Sequence, residues 1–96
     1  MIDKFHGGTV TVNRIEEKRH VLTLRTGDGK MVGLFDVHDD LRDMRFKFRY
    51  EDNKYDLNVY DGSEYGTTQG LEAAIYPVIN GQTETSRFEK LKVEEV

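Results

Sequence analysis

The sequence predicts a β-rich protein, all-β or α+β, in which a small antiparallel barrel or strongly bent sheet carries one short helical element and a C-terminal extension. Apolar and polar residues alternate in several segments, as they do in strands with one buried face. Turn-forming Gly, Asn and Asp residues separate these segments. Five Phe and five Tyr side chains provide the bulk of a core.

The length and composition restrict the class of protein. Ninety-six residues predict one domain, 1–96, with a five-stranded antiparallel core over 8–61 and a loop with a C-terminal hairpin, or a helix and strand, over 62–96. The chain has no cysteine, which excludes disulfides and thiolate chemistry. Because no signal-like segment and no run of 18 apolar residues occurs, we expect a cytoplasmic protein without membrane contact.

The first predicted strand covers residues 9–13, with Val10 and Val12 on one face. The alternation breaks at Arg14 and Ile15, which predicts a β-bulge. The alternation resumes over 20–26 and leads into the next turn, for which we expect a three-residue loop, Gly27-Asp28-Gly29, with Gly29 at positive φ. The cross-strand pairs that this loop predicts are Leu24 with Val32, Leu22 with Leu34, and His20 with Asp36.

The segment 44–61, MRFKFRYEDNKYDLNVYD, predicts a hairpin and its register. A two-residue turn at Asp52-Asn53 places apolar residues opposite one another on one face and polar or oppositely charged residues on the other. The predicted pairs are Glu51 with Lys54, Tyr50 with Tyr55, Arg49 with Asp56, Phe48 with Leu57, Lys47 with Asn58, Phe46 with Val59, and Arg45 with Tyr60. The core-facing row therefore consists of aromatic and aliphatic side chains.

Two segments outside the hairpins contain the possible helical elements. In 36–43, Asp36 or Asp39 can cap one or two helical turns. After the loop 62–70, apolar residues at helical spacing predict a short helix over 68–75, and a strand over 75–79 is the alternative. Asn80-Gly81 predicts a two-residue turn, and residues 83–93 predict a last strand.

The order of elements over 8–61 resembles the OB-fold, a five-stranded barrel with a helix between its third and fourth strands. The resemblance depends on element order and on the irregular first strand at Arg14 and Ile15. An SH3-like barrel or an open sheet backed by one helix accounts for the same order. None of these folds implies a function by itself.

The first candidate site is a row of cations, Arg45, Lys47 and Arg49, with Tyr60 across the hairpin and Tyr65 beyond it. Cations beside aromatic rings are the arrangement that holds single-stranded nucleic acid, because phosphates contact Arg and Lys while bases stack on rings. The sequence therefore predicts a possible nucleic-acid site on the outward face of this hairpin.

The predicted register favours a more ordinary interpretation of the same row. Arg49 would pair with Asp56 and Lys47 with Asn58, as on a solvated sheet face where exposed pairs contribute little. The net charge of −4 also opposes phosphate binding.

The second candidate is the acidic segment with Asp36, His38, Asp39, Asp40 and Asp43. Carboxylates and an imidazole can hold a divalent ion or transfer protons, which would make the protein a small metal-dependent enzyme. Capping and solvation of a turn is the more ordinary role for these residue types. No metal-site, nucleophile or phosphate-loop motif occurs, so we expect neither a metal nor a cofactor.

These observations favour a non-enzymatic interaction module that binds a protein partner, or a second copy of itself, through an exposed sheet face or edge. Binding of single-stranded nucleic acid through the cation row is the alternative. Metal-dependent catalysis at 36–43 is the second alternative.

Overall fold

The structure, a computed structural model, describes residues 2–38, 44–66 and 70–96, without the side chains of residues 64 and 65. Eight strands occur in this part of the chain: β1 Thr9–Glu16, β2 Arg19–Arg25, β3 Met31–Val37, β4 Met44–Tyr50, β5 Asn53–Asp61, β6 Leu71–Ile79, β7 Gln82–Thr83 and β8 Glu89–Glu95. Its helical elements are two 3-10 turns, Asp3–Phe5 and Gly62–Tyr65.

All strands belong to one sheet with the order β3-β2-β1-β8-β6-β5-β4, and β7 pairs with β6. Strand β8 is parallel to β1 and antiparallel to β6, so it joins two three-stranded meanders. The end strands β3 and β4 approach one another, and the rings of Phe35 and Phe46 lie 5.2 Å apart between them. The sheet is thus a nearly closed barrel, and the predicted fold class is confirmed.

The five strands expected within 8–61 are present, but they are not adjacent as one five-stranded unit. Among the described residues, β8 and β6 provide the hydrogen-bonded connection between β1 to β3 and β4 to β5. The C-terminal residues therefore occupy the centre of the sheet. The strand order therefore differs from that of an OB-like barrel formed by residues 8–61 alone.

The hairpin of β4 and β5 has the predicted faces but a different register. Its turn residues are Glu51 and Asp52, both at positive φ, and not Asp52 and Asn53. The register is therefore shifted by two residues, so that Phe48 faces Tyr55. A shift of two keeps every side chain on its predicted face, because the period of a strand is two.

The hairpin of β2 and β3 has the predicted three-residue loop, closed by hydrogen bonds between Thr26 and Lys30 and with Gly29 at φ 89°. An extra residue in β3 near Val32 shifts the pairs beyond it by one. The predicted pairs Leu24 with Val32, Leu22 with Leu34 and His20 with Asp36 are wrong. Leu22 faces Phe35, and Leu34 points outward.

The bulge in β1 is confirmed, because the register shifts between Arg14 and Glu16 and leaves Ile15 unpaired. The Asn80-Gly81 turn is also confirmed, with both residues at positive φ. The last strand is interrupted, since β7 ends at Thr83 and β8 begins at Glu89.

The helix expected over 68–75 is wrong from Leu71 onward, where β6 runs as a strand to Ile79. Ala73, Ala74 and Ile75 are buried on both faces of the sheet. A strand covered on both faces has no alternation, which explains why the spacing in the sequence was ambiguous. Pairing with β5 and β8 decides the conformation.

The helical turn expected at 36–43 does not begin at Asp36, because β3 continues to Val37. Asp39, Leu41 and the rest of 39–43 lie outside the described residues.

The core lies inside the curved sheet, and the first 3-10 turn covers one end of it. Phe5 is fully buried there. The other buried residues of this core cluster come from the strands: Val10, Val12, Leu22, Leu24, Val37, Tyr55, Leu57, Val59, Ala73, Ile75 and Leu91. Phe48 is half-buried against this cluster, and its ring stacks on Tyr55 with centroids 5.5 Å apart.

Candidate functional site

Four cations define the basic face, the outward surface of the β4–β5 hairpin: Arg45, Lys47, Arg49 and Lys54. All four are exposed. The alternation in β4 places them there, because Phe46 and Phe48 point into the barrel. The predicted outward position of the cation row is thus what the structure shows.

The register correction changes the electrostatics of the basic face. Arg49 faces Lys54 across the hairpin, not Asp56. Asp56 instead faces Lys47, and its carboxylate accepts a 3.0 Å hydrogen bond from the Thr83 hydroxyl. The neutralising pair expected for Arg49 is therefore not formed.

Among the described residues, Arg45 is the member of the cation row that lies within ion-pair distance of a carboxylate. Its Nη1 atom lies 3.9 Å from Oδ2 of Asp56, whose side chain is almost completely buried. Within the described part of the chain, Lys47, Arg49 and Lys54 form no ion pair. Three cations of the basic face are therefore available to an anion.

A groove of about 400 Å³ opens beside these three cations. It is lined by Lys47, Phe48, Arg49, Lys54, Tyr55 and Val78. Among the described residues, the lining includes three positive charges and no carboxylate. This combination attracts anions and disfavours metal ions.

A like-charge pair directly across an antiparallel hairpin destabilises it, so Arg49 and Lys54 provide a stability test. We expect Arg49→Glu to raise the melting temperature by about 1 to 4 °C, because it replaces repulsion by attraction. Lys47→Glu changes the charge equally but faces Asp56, so it should lower the melting temperature. Equal shifts for the two variants, measured by thermal denaturation at low salt, would contradict the register.

Tyr60 lies on the same outward face but already has partners. Lys90 Nζ donates a 2.9 Å hydrogen bond to the Tyr60 hydroxyl and a 2.5 Å bond to Glu72. The Glu72 carboxylate, and then the Tyr60 hydroxyl, raise the pKa of Lys90. Tyr60 is therefore tied into a polar cluster, and the side chain of Tyr65 lies outside the described residues.

Sequence reasoning missed a second aromatic pair on this face. Tyr76 on β6 faces Asp56 on β5, and Asp56 faces Lys47 on β4. The Tyr76 ring lies 5.8 Å from the ring of Phe88, which is 49% exposed. The sequence offers no periodic signal for this pair, because β6 is covered on both faces and its apolar residues do not alternate with polar ones.

The acidic segment is described only at its beginning. Arg19 donates to both carboxylate oxygens of Asp36, at 3.3 and 3.1 Å, and His38 lies 3.3 Å from the same group. The Arg19 guanidinium is the main cause of a lowered pKa at Asp36. Asp36 therefore forms a salt bridge on the sheet surface, while Asp39, Asp40 and Asp43 lie outside the described residues.

The two end strands of the sheet present different surfaces. β4 carries the cation row, whereas β3 carries the apolar side chains of Met31 and Leu34, which are 52% and 64% exposed. Leu34 faces Thr23 on β2, and Thr23 faces Thr11 on β1, so the residues directly across from it are uncharged. One free edge is therefore cationic and the other is apolar.

Another concave region, of about 470 Å³, lies at the barrel end near the first 3-10 turn. Its charged lining is mixed: Asp3, Lys4, Asp28, Lys30 and Glu51. Lys4 and Lys30 also lie over the ring of Tyr50, at 5.5 and 5.6 Å from its centroid. With three carboxylates and two lysines, this lining lacks the excess of one sign that the groove beside β4 has.

Within the described ranges, no helix is both long and apolar enough to cross a membrane. Comparison with protein-family models, with curated proteins and with solved structures finds no match to this chain.

Proposed function

We propose that this protein is a non-enzymatic interaction module that adds an extended strand of a protein partner to the free edge of β3, and that a second copy of the chain is one such partner. The observation that carries this proposal is the contrast between the two end strands. β3 has no strand neighbour on one side within the described residues, and its outward side chains Met31 and Leu34 are apolar and exposed.

Free strand edges are sites of pairing unless charges or proline oppose it. β4 is protected in this way by Arg45, Lys47 and Arg49, which would lie against the cations of any second β4 strand. β3 has no such protection. Near its centre lies the apolar Leu34, and the charge of its outward residue Asp36 is neutralised by Arg19. A partner strand would enter the gap between the two end strands, whose Phe35 and Phe46 rings lie 5.2 Å apart, and β3 is the side of that gap that charge leaves open to pairing.

A second copy fits this edge because a twofold contact needs a surface that complements itself. Antiparallel pairing of two β3 strands brings apolar Leu34 side chains together without burying a charge. The contact is small, since each strand has seven residues. We expect a weak and concentration-dependent dimer, as is usual for interfaces at the low end of the size range.

The test is Leu34→Lys, which places a charge at the centre of the proposed contact. Sedimentation equilibrium should show the native chain moving from monomer to dimer as concentration rises, and the variant remaining monomeric. Ile15→Lys is the matched control, because Ile15 is 47% exposed at the β1 bulge, away from the β3 edge. A native chain that stays monomeric to millimolar concentration, or an equal effect of both variants, would refute self-pairing through β3.

A further inference from the structure

From the arrangement of charges and rings, we propose that the outward surface of β4, β5 and β6 binds single-stranded nucleic acid, with phosphates on Lys47, Arg49 and Lys54 and a base on the exposed ring of Phe88. This site is separate from the β3 edge and does not depend on its role.

Cations are concentrated on this surface, although the chain as a whole is acidic. The outward strand residues of β4, β5 and β6 include four cations and two carboxylates, whereas the whole chain has a net charge of −4. Glu72 is engaged by Lys90, and Asp56 Oδ2 by the Thr83 hydroxyl and, at 3.9 Å, by Arg45, while Asp56 Oδ1 has no hydrogen-bond partner among the described residues. The field that a ligand meets at the groove is therefore positive.

Lys47, Arg49 and Lys54, which form no ion pair among the described residues, are close enough to act together. Lys47 and Arg49 are two residues apart on β4, which separates their backbones by about 7 Å, and Lys54 lies one strand away from Arg49 at about 5 Å. Arg49 and Lys54 face like charge across the hairpin, so no ion pair between them must break before a phosphate binds, whereas Lys47 faces Asp56. The repulsion between Arg49 and Lys54 costs stability in the free protein, and a bound phosphate would relieve that repulsion.

The aromatic component lies within reach of the same ligand. Tyr76 is two strands from Lys47, a backbone distance of about 10 Å, and its ring supports that of Phe88. Phe88 keeps about half of its surface exposed. Stacking on such a ring tolerates every base, which suits a strand held by its phosphates without sequence readout.

The probe is a fluorescein-labelled oligothymidylate, followed by anisotropy at several low salt concentrations. We expect saturable binding whose logarithmic affinity falls with logarithmic salt at a slope of about −2, from three phosphate contacts on a single strand. Arg49→Gln with Lys54→Gln should reduce the slope to about −0.7. Arg14→Gln with Lys18→Gln removes the same charge from the opposite half of the sheet, where both residues are exposed, and should leave the slope near −2.

The aromatic contact is tested separately with Phe88→Ala. Loss of one stacked base should weaken binding about 5- to 150-fold and leave the salt slope unchanged. Ile15→Ala removes an exposed apolar side chain elsewhere and should have no effect. Melting temperatures of all variants establish that they are folded.

Competition with inorganic polyphosphate distinguishes the source of the phosphate. Polyphosphate should displace the oligonucleotide from the native protein less efficiently than unlabelled oligothymidylate does, because it has no base to stack. Absence of oligonucleotide binding, equal loss in both double glutamine variants, or an unchanged affinity in Phe88→Ala would overturn the proposal. Binding of polyphosphate alone would identify a general anion site and would also overturn it.

Discussion

Phe5→Ala is expected to lower the free energy of unfolding by about 3 to 5 kcal/mol, the usual cost of removing a buried phenylalanine. Phe5 is fully buried, although it lies in a three-residue 3-10 turn outside the strands. Its ring meets those of Tyr55 at 5.0 Å and of Phe48 and Tyr50 at 6.3 Å, all edge to face. Removing it leaves a cavity at the end of the barrel that is lined by the three remaining rings.

Urea denaturation measures this loss, and an unchanged slope with denaturant would show that the native fold is retained. Phe88→Ala is the matched control, because Phe88 is half-exposed and should cost less than about 1 kcal/mol. If Phe5→Ala costs no more than Phe88→Ala, the N-terminal turn does not close the core. Total stabilities of about 5 to 15 kcal/mol make the expected loss easy to resolve.

Gly27→Ala is expected to cost about 2 to 4 kcal/mol, although it adds only a methyl group. A Cβ atom at Gly27 would lie 1.9 Å from the carbonyl oxygen of His6, far inside contact distance. Gly27 also donates a 2.8 Å hydrogen bond to the carbonyl of Lys4. The N-terminal turn must therefore move away from the β2–β3 loop, and Phe5 moves with it.

Gly29→Ala in the same loop is the control for Gly27→Ala. No described residue lies within 4 Å of a Cβ at Gly29, so the cost of this substitution is the strain of φ 89°, about 1 to 2 kcal/mol. In Phe5→Ala combined with Gly27→Ala, the loss should be smaller than the sum of the single losses, because both remove the same docking contact. Additive effects would show that the two residues act independently.

The faces of the strands could be predicted from the sequence, because alternation depends only on neighbouring residues. In β4 and β5 the predicted core row is the observed one, even though the register differs by two residues. The outward cation row was predicted for the same reason. What alternation cannot specify is the partner of each residue, since a shift of two leaves every face unchanged.

The electrostatic character of the basic face depends on the register of β4 and β5, which alternation does not specify. With Arg49 opposite Asp56, the row would be an ordinary neutralised surface; with Arg49 opposite Lys54, it is a cationic groove. The difference comes from two turn residues, Glu51 and Asp52, which adopt positive φ in place of the Asp52-Asn53 turn. Both turns are compatible with the sequence, so local chemistry does not choose between them.

The sequence alone determined the β-rich class, the bulge beside Ile15 and the turns at Gly27-Asp28-Gly29 and Asn80-Gly81, because each depends on residues within a few positions of one another. Only the tertiary structure decided that residues 71–75 form a strand and that β8 lies between β1 and β6. It also decided that Phe88 lies beside Tyr76 on the basic face. These features depend on pairing between segments far apart in the chain, whose free energy comes from burial across the whole sheet and leaves no periodic signal in either segment.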